Sequence, residues 1–237
     1  MTTIKSFGGK SRVNGWMILK REKSHSFRNF VSGKTKTGYD SNYCRKLNKF
    51  FIHNEVEQRR VAIDVGASYG FVTEYLSQSF DEVKSFEIVP QIRQCLEINV
   101  NDREMDNVEV FPYGLSNEEK TIDIWFNPLY TGHSSAYMNS DINREGDTIE
   151  CEVRTLDSFQ FENVDFLKID VEGAELDVLR GGMNTIETHR PIITTEHSQQ
   201  TPEGIRNSYE VLTLMDSLNY EYRQTIGGDF IWVPEEF

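Results

Sequence analysis

Residues 166–182 read FLKIDVEGAELDVLRGG, and this stretch decides the fold. An apolar run typical of a buried strand ends at Asp170, and beyond Gly173 the apolar residues are spaced for one face of a helix. The terminal glycine pair is a natural helix stop. Folding alone gives little reason to place four acids within eight positions after a buried strand: Asp170, Glu172, Glu175 and Asp177.

The rest of the chain repeats this strand-to-helix pattern. Apolar runs predict strands at 61–65, 82–89, 107–112, 164–170 and 191–197, and near 219–224 and 229–233. Between them, helical spacing predicts helices at 42–53, 70–80, 90–101 and 203–218, beside the one after Gly173. Alternation of this kind predicts an α/β fold, a mainly parallel seven-stranded sheet with helices on both faces. TIDIWF (121–126) and TIECEVRTL (148–156) break the alternation and predict an inserted β-rich segment with a polar loop.

Charge divides the chain unevenly. Residues 1–60 carry 14 Lys+Arg against 4 Asp+Glu, whereas the whole chain of 237 residues has a net charge of −13. We therefore predict a basic N-terminal extension, residues 1–55, and one domain, residues 56–237. The extension either meets an anion, such as a ligand or the acidic body, or is a solvated surface segment.

Composition excludes several classes of protein. Three scattered cysteines without C-x-x-C spacing argue against a disulfide framework or a zinc cluster. The start lacks the apolar core of a secretory signal, and no run approaches the length of a membrane span. We expect a cytoplasmic protein without a membrane partner; the oligomeric state is left open.

A glycine loop follows the first strand of the domain. It reads Asp64-Val-Gly66-Ala67-Ser68-Tyr-Gly70, and Glu87 ends the next strand, where a carboxylate can accept hydrogen bonds from both hydroxyls of a ribose. Serine replaces the middle glycine that a nicotinamide dinucleotide requires for its diphosphate. An acidic pocket suits the sulfonium cation of S-adenosylmethionine, so we predict that this cofactor is bound by the loop residues, Glu87 and Asp170.

Lys-Ile-Asp-Val-Glu-Gly-Ala-Glu, residues 168–175, resembles the signature of FkbM-type methyltransferases, which depend on S-adenosylmethionine. The first glycine loop, the acidic end of the second strand and Thr155-Leu156-Asp157 match the family as well, so the resemblance runs from about Val61 to His197. Ser68 departs from the asparagine usual in the family. The resemblance implies a Rossmann-like class I methyltransferase fold and methyl transfer, most often to a hydroxyl oxygen.

Catalytic residues are expected where the fourth strand ends. A carboxylate at Asp170 can orient an acceptor hydroxyl, take its proton or support the sulfonium electrostatically, and Glu172 can point into the same cleft. His197, after the fifth strand, is the best histidine candidate for a general base. Glu175 and Asp177 suit the first turns of a helix, where the dipole favours negative charge. We predict no metal, and we predict substrate contacts at His133, Ser134, Ser135 and Glu196.

The acceptor divides the functional hypotheses. The leading one is O-methylation of a small molecule or sugar, a reaction that depends mainly on positioning and therefore needs few catalytic residues. A second keeps the chemistry but makes RNA the acceptor, with residues 1–55 as an electrostatic arm. A third is a methyltransferase-like domain that binds without catalysing, and a dehydrogenase ranks last because of the glycine spacing.

Overall fold

The computed structural model describes residues 9–13, 15–20, 23, 39–54, 56–129, 131, 147–197 and 202–237. The strands are β1 (Lys10–Val13), β2 (Trp16–Leu19), β3 (Val61–Val65), β4 (Glu82–Phe86), β5 (Val108–Phe111), β6 (Gly114–Leu115), β7 (Lys120–Phe126), β8 (Asp147–Arg154), β9 (Val164–Ile169), β10 (Ile192–Glu196), β11 (Tyr220–Ile226) and β12 (Asp229–Pro234). The helices are α1 (Tyr39–His53), α2 (Phe71–Ser77), α3 (Pro90–Asp102), α4 (Glu175–Gly181), α5 (Met183–His189) and α6 (Pro202–Ser217).

Seven strands form the central sheet in the order β11-β12-β10-β9-β3-β4-β5. Strand β12 pairs antiparallel with both of its neighbours, β11 and β10, and the four remaining pairs, from β10 to β5, are parallel. The strand order reverses between β3 and β9, which opens a crevice outside their carboxyl ends. The predicted fold, a mainly parallel sheet of seven strands in an α/β protein, is confirmed.

The core lies on both faces of this sheet. All five residues of β3 are buried, because helices cover the strand from both sides. One face packs against α1, whose Tyr43, Leu47 and Phe51 are almost completely buried. Phe51 meets the Phe166 ring edge-on with centroids 5.4 Å apart. The described helix of the predicted extension therefore packs on the domain, and the domain boundary at residue 55 stays a prediction.

The inserted segment forms a separate three-stranded sheet in the order β6-β8-β7. Strands β7 and β8 pair antiparallel over seven residues, from Lys120↔Val153 to Phe126↔Asp147, as the alternating sequence predicts. A second small sheet, the hairpin of β1 and β2, was not predicted. Its strands are only four residues long, and the sequence around them is rich in glycine and lysine.

Gly181 and Gly182 end α4 as predicted, but a further helix, α5, starts directly behind them. Asp157 supplies the reason. Its carboxylate accepts hydrogen bonds from the backbone N–H groups of Asn184 (3.0 Å) and Thr185 (2.8 Å), so it caps α5 from 27 and 28 residues away in sequence. A cap so distant in sequence leaves no local signal. Among the described residues, no helix has both the length and the apolar character needed to cross a membrane.

Candidate active site

The glycine loop crosses the carboxyl end of β3 in a tight turn. Gly66 has a φ of +79°, and a Cβ at this position would lie 1.9 Å from the Asp170 carbonyl oxygen. The N–H groups of Gly66 and Ala67 both donate to the Phe86 carbonyl at 3.0 Å. Glycine at 66 therefore lets the backbones of β3 and β9 meet behind the crevice. Gly70, with φ +91°, is the N-cap of α2, and Ser68 is also left-handed, with φ +51°.

Glu87 follows β4 and is bound to the same loop. Its Oε2 accepts a hydrogen bond from Ser68 N–H (2.9 Å) and its Oε1 accepts one from Val89 N–H (2.8 Å). Burial raises the pKa of Glu87 to about 7, although these two backbone donors act in the opposite direction. Each oxygen keeps a further lone pair for a hydroxyl donor. The arrangement fits the two hydroxyls of a ribose.

Asp64 lies inside the protein, behind the loop. The side chain has no exposed surface, and its Oδ2 accepts a hydrogen bond from the Thr73 hydroxyl at 2.7 Å. The ammonium group of Lys168 lies 3.2 Å from Asp64 Oδ1 and 3.3 Å from Asp170 Oδ2, so it links the ends of β3 and β9. Burial alone would lower the pKa of Lys168, but the carboxylates of Asp170 and Asp64 outweigh it and raise the pKa.

Three carboxylates converge at the carboxyl ends of β9 and β10. Asp170, Glu172 and Glu196 each offer an oxygen, and these oxygens lie within 4.8 Å of one another. We call these three residues the acid cluster. Burial and the neighbouring carboxylates raise the pKa of Glu172 and that of Glu196. Three carboxylates at this spacing also match the donor set of a divalent cation, and the expectation that no metal is required stays a prediction.

Glu175 and Asp177 do not belong to the acid cluster. Glu175 Oε1 accepts hydrogen bonds from the N–H groups of Val171 (3.3 Å) and Gly173 (3.0 Å), and Oε2 accepts one from the Asn207 amide (2.8 Å). This buried carboxylate holds the turn between β9 and α4. Asp177 lies in the first turn of α4. The four acids of the opening stretch thus separate into two in the acid cluster and two that belong to the turn and the helix.

The histidine candidate, His197, directly follows Glu196 in the chain. The His197 ring stacks on Phe230 with centroids 3.7 Å apart, and its Nε2 lies 3.3 Å from the Thr195 hydroxyl. Burial lowers the pKa of His197 to about 4, so the ring is neutral at physiological pH. The predicted substrate contacts His133, Ser134 and Ser135 lie outside the described residues.

Two further side chains build the site region. A lysine inside a buried strand is expected to pair with a neighbouring acid or to reach the sheet edge, and Lys168 pairs with both Asp170 and Asp64. Asn99, fully buried in α3, donates a hydrogen bond to the Tyr69 carbonyl of the glycine loop at 2.9 Å. An asparagine in mid-helix carries no local signal for that contact, because its partner lies 30 residues away.

The sheet order, the glycine loop and the acid at the end of β4 define a class I methyltransferase. The structure aligns with the FkbM methyltransferase from Methylobacillus flagellatus KT at a TM-score of 0.56 and 16% identity, covering 90% of this chain and 56% of that one. The chain thus spans little more than half the length of this solved relative, and the match shows the fold alone.

The chain belongs to the FkbM methyltransferase family, because the model of the Methyltransferase FkbM domain matches residues 64–222. It is therefore an S-adenosylmethionine-dependent methyltransferase of the FkbM type, as the signature predicts. Similar proteins include Methyltransferase 1 of Beauveria bassiana, 25% identical over 60% of this chain and 70% of the relative. The 2-O-methyltransferase NoeI of Sinorhizobium fredii is also 25% identical, over 72% of this chain and 78% of the relative.

Proposed function

We propose that the protein methylates a hydroxyl oxygen of a small molecule or a sugar. The acid cluster carries this proposal, because it places carboxyl groups of raised pKa at the reversal point of the strand order. A carboxylate of raised pKa is a stronger base than an ordinary one and is suited to take a hydroxyl proton near neutral pH. A similar protein, NoeI, carries the name of a 2-O-methyltransferase.

The cofactor side of the crevice consists of the glycine loop and Glu87. S-adenosylmethionine, when bound, supplies a methyl group on a positively charged sulfur. Glu87 would hold the ribose hydroxyls, and the backbone of the loop from Gly66 to Gly70 would lie against the cofactor. The negative charge of Asp170 would favour the sulfonium, which is the interaction that an acidic pocket provides and a diphosphate site does not.

The acceptor side is the acid cluster. Lys168 Nζ lies 3.3 Å from Asp170 Oδ2, and this ion pair fixes the position of a carboxylate that would orient the acceptor hydroxyl. Glu172 or Glu196 would then take the hydroxyl proton as the oxygen gains the methyl group. His197 is neutral and so has one unprotonated ring nitrogen that could take the same proton, which makes it the second candidate base. His133, Ser134 and Ser135 stay predicted substrate contacts, and RNA stays the alternative acceptor.

A methyl-transfer assay tests the proposal. The purified protein is incubated with S-adenosylmethionine carrying a labelled methyl group and with panels of hydroxylated sugars, small alcohols and phenols, and an RNA oligonucleotide. On the acceptor that is methylated, Glu172→Gln combined with Glu196→Gln should lower turnover by about 10²-fold or more, the usual contribution of a general base. The affinity for S-adenosylhomocysteine should stay within about threefold, because Glu87 and the glycine loop are unchanged.

Asp177→Asn is the matched control, since it removes an acid of the same stretch that lies in α4 outside the acid cluster. Wild-type turnover by the double variant would remove Glu172 and Glu196 from the mechanism. Methyl transfer to the oligonucleotide and to none of the small hydroxyl compounds would replace the proposed acceptor by RNA.

A further inference from the structure

We infer that Asn99 is a positioning residue of the cofactor site and that the hairpin of β1 and β2 forms part of that site. The inference rests on the cofactor side of the proposed function. It concerns a contact between two parts of the chain that are far apart in sequence, the N-terminal hairpin and the glycine loop, which meet through one buried amide.

Asn99 lies in α3 with no exposed surface and uses its whole side-chain amide. Its Nδ2 donates to the Tyr69 carbonyl at 2.9 Å and to the Met17 carbonyl at 3.0 Å. Its Oδ1 accepts from Met17 N–H at 2.6 Å. An asparagine amide offers two N–H donors and one carbonyl, so each of these groups has a partner here. The side chain thus pairs with Met17 as a neighbouring strand would.

Met17 is free to make this pair because of the register of the hairpin. Met17 stands opposite Arg12, and its N–H and carbonyl both point to Asn99 and therefore away from β1. In an antiparallel pair, alternate residues direct their backbone groups outward in this way. The outer edge of β2 is consequently hydrogen-bonded to Asn99 of α3. The same Asn99 side chain also binds the glycine loop, at the Tyr69 carbonyl.

On the loop side, Tyr69 occupies the most constrained place in the turn. Ser68 before it has a φ of +51° and Gly70 behind it has a φ of +91°. A left-handed serine is unfavourable and persists only where the surrounding structure holds it. Ser68 N–H is also the donor to Glu87 Oε2. Fixing the Tyr69 carbonyl therefore restrains the Tyr69–Gly70 peptide, directly behind the left-handed serine whose N–H binds the carboxylate that would hold the ribose.

The hairpin is anchored well enough to serve as a fixed support. The Trp16 ring lies 4.3 Å from the ring of Phe71, the first residue of α2. The Arg103 guanidinium lies over the Trp16 ring, 4.1 Å from the ring centroid, and forms an ion pair with Glu74 of α2. Ile18 is completely buried. Loss of the hairpin contact should therefore loosen the glycine loop, and binding of the cofactor should in turn stabilise the hairpin, because coupling between sites is reciprocal.

Calorimetric titration with S-adenosylhomocysteine tests the inference on the full chain. Asn99→Ala should raise the Kd about tenfold, within the usual range of coupling between sites. Met17→Pro is the second variant, because it removes the N–H that points away from β1, along with the half-buried methionine side chain, and keeps Asn99 and its bond to Tyr69. We expect it to raise the Kd about threefold or more. Glu87→Ala is the positive control for lost binding.

Val233→Ala provides the control for general destabilisation. Val233 is fully buried in β12, three strands away from β3 in the sheet, so its truncation lowers the melting temperature without touching the glycine loop. This control should keep the wild-type Kd. Hydrogen exchange, measured in parallel, should become faster at residues 66–71 in the Asn99 and Met17 variants and stay unchanged there in Val233→Ala.

The outcomes separate the two proposals. A wild-type protein that does not bind S-adenosylhomocysteine would contradict the cofactor side of the proposed function. A wild-type protein that binds, with Asn99→Ala and Met17→Pro binding as tightly as Val233→Ala, would overturn the positioning role and leave the proposed function intact.

Discussion

The buried carboxylates on the two sides of the crevice have different neighbours: backbone N–H donors on the cofactor side and other carboxylates on the acceptor side. On the cofactor side, Glu87 accepts hydrogen bonds from two backbone N–H groups. On the acceptor side, Glu172 and Glu196 lie close to Asp170 and to each other, and the neighbouring carboxylates add to the effect of burial in raising their pKa values. The backbone donors on the cofactor side favour a charged carboxylate, whereas the neighbouring carboxylates on the acceptor side disfavour one.

The difference teaches how the work of the site is divided. Backbone donors near in sequence make a rigid seat for the ribose, which suits a cofactor that is the same in every reaction. Repulsion among carboxylates costs stability, and such a cost is typical of residues retained for function. Lys168 joins the two sides, because it is paired with Asp64 behind the glycine loop and with Asp170 in the acid cluster.

Lys168→Met should have the largest effect, since it leaves the buried Asp64 carboxylate without its cation. We expect the free energy of unfolding to fall by about 3–5 kcal/mol at pH 7, measured by urea denaturation. Lys84→Met is the control, because Lys84 lies on the neighbouring strand β4 but pairs with exposed glutamates. That variant should lose less than about 1 kcal/mol. Equal losses would show that the ion pairs of Lys168 stabilise the fold no more than those that Lys84 makes with exposed glutamates.

Glu172→Gln should stabilise the protein in a pH-dependent way. Because the folded-state pKa is raised above the ordinary value of 4.5, the carboxyl contributes stability that is complete below pH 4.5 and is lost as the pH rises through the folded-state pKa. The variant should therefore melt about 2–4 °C above wild type at pH 8, equivalent to about 1 kcal/mol, and near wild type at pH 4.5. Glu162→Gln, at an exposed position, should show no such dependence. A difference that is the same at both pH values would contradict the raised pKa of Glu172.

Ser68→Asn should have the smallest effect and sharpens the view of the cofactor side. Asparagine tolerates a left-handed backbone better than serine does, so we expect about 0.5 kcal/mol of added stability and tighter binding of S-adenosylhomocysteine. Gln160→Asn is the matched control, because Gln160 is also left-handed, at φ +52°, but follows a 3-10 turn at Leu156–Phe159, outside the glycine loop. It should add similar stability and leave the affinity unchanged. A gain in affinity from both variants would show that the tighter binding does not come from the glycine loop.

The sequence by itself determined the class of fold and the cofactor. The strand and helix periods predict the α/β sheet, and the predicted strands from Val61 onward lie within a few residues of those observed. The loop from Gly66 to Gly70 and the acid at Glu87 lie within one β-α-β unit, so their spacing alone predicts a cofactor site there. Periodicity and turn chemistry are local, and local patterns survive in a single sequence.

Only the tertiary structure decided which charged and polar side chains meet. Asp157 caps α5 from 27 residues away, Lys168 pairs with Asp64, 104 positions before it, and Asn99 joins Met17 to Tyr69 across 82 and 30 residues. The acid cluster likewise draws on the ends of β9 and β10, which α4 and α5 separate along the chain and which pair in the sheet. The physical reason is that burial makes each of these groups need a partner, while the chain's path through the fold determines which partner is within reach.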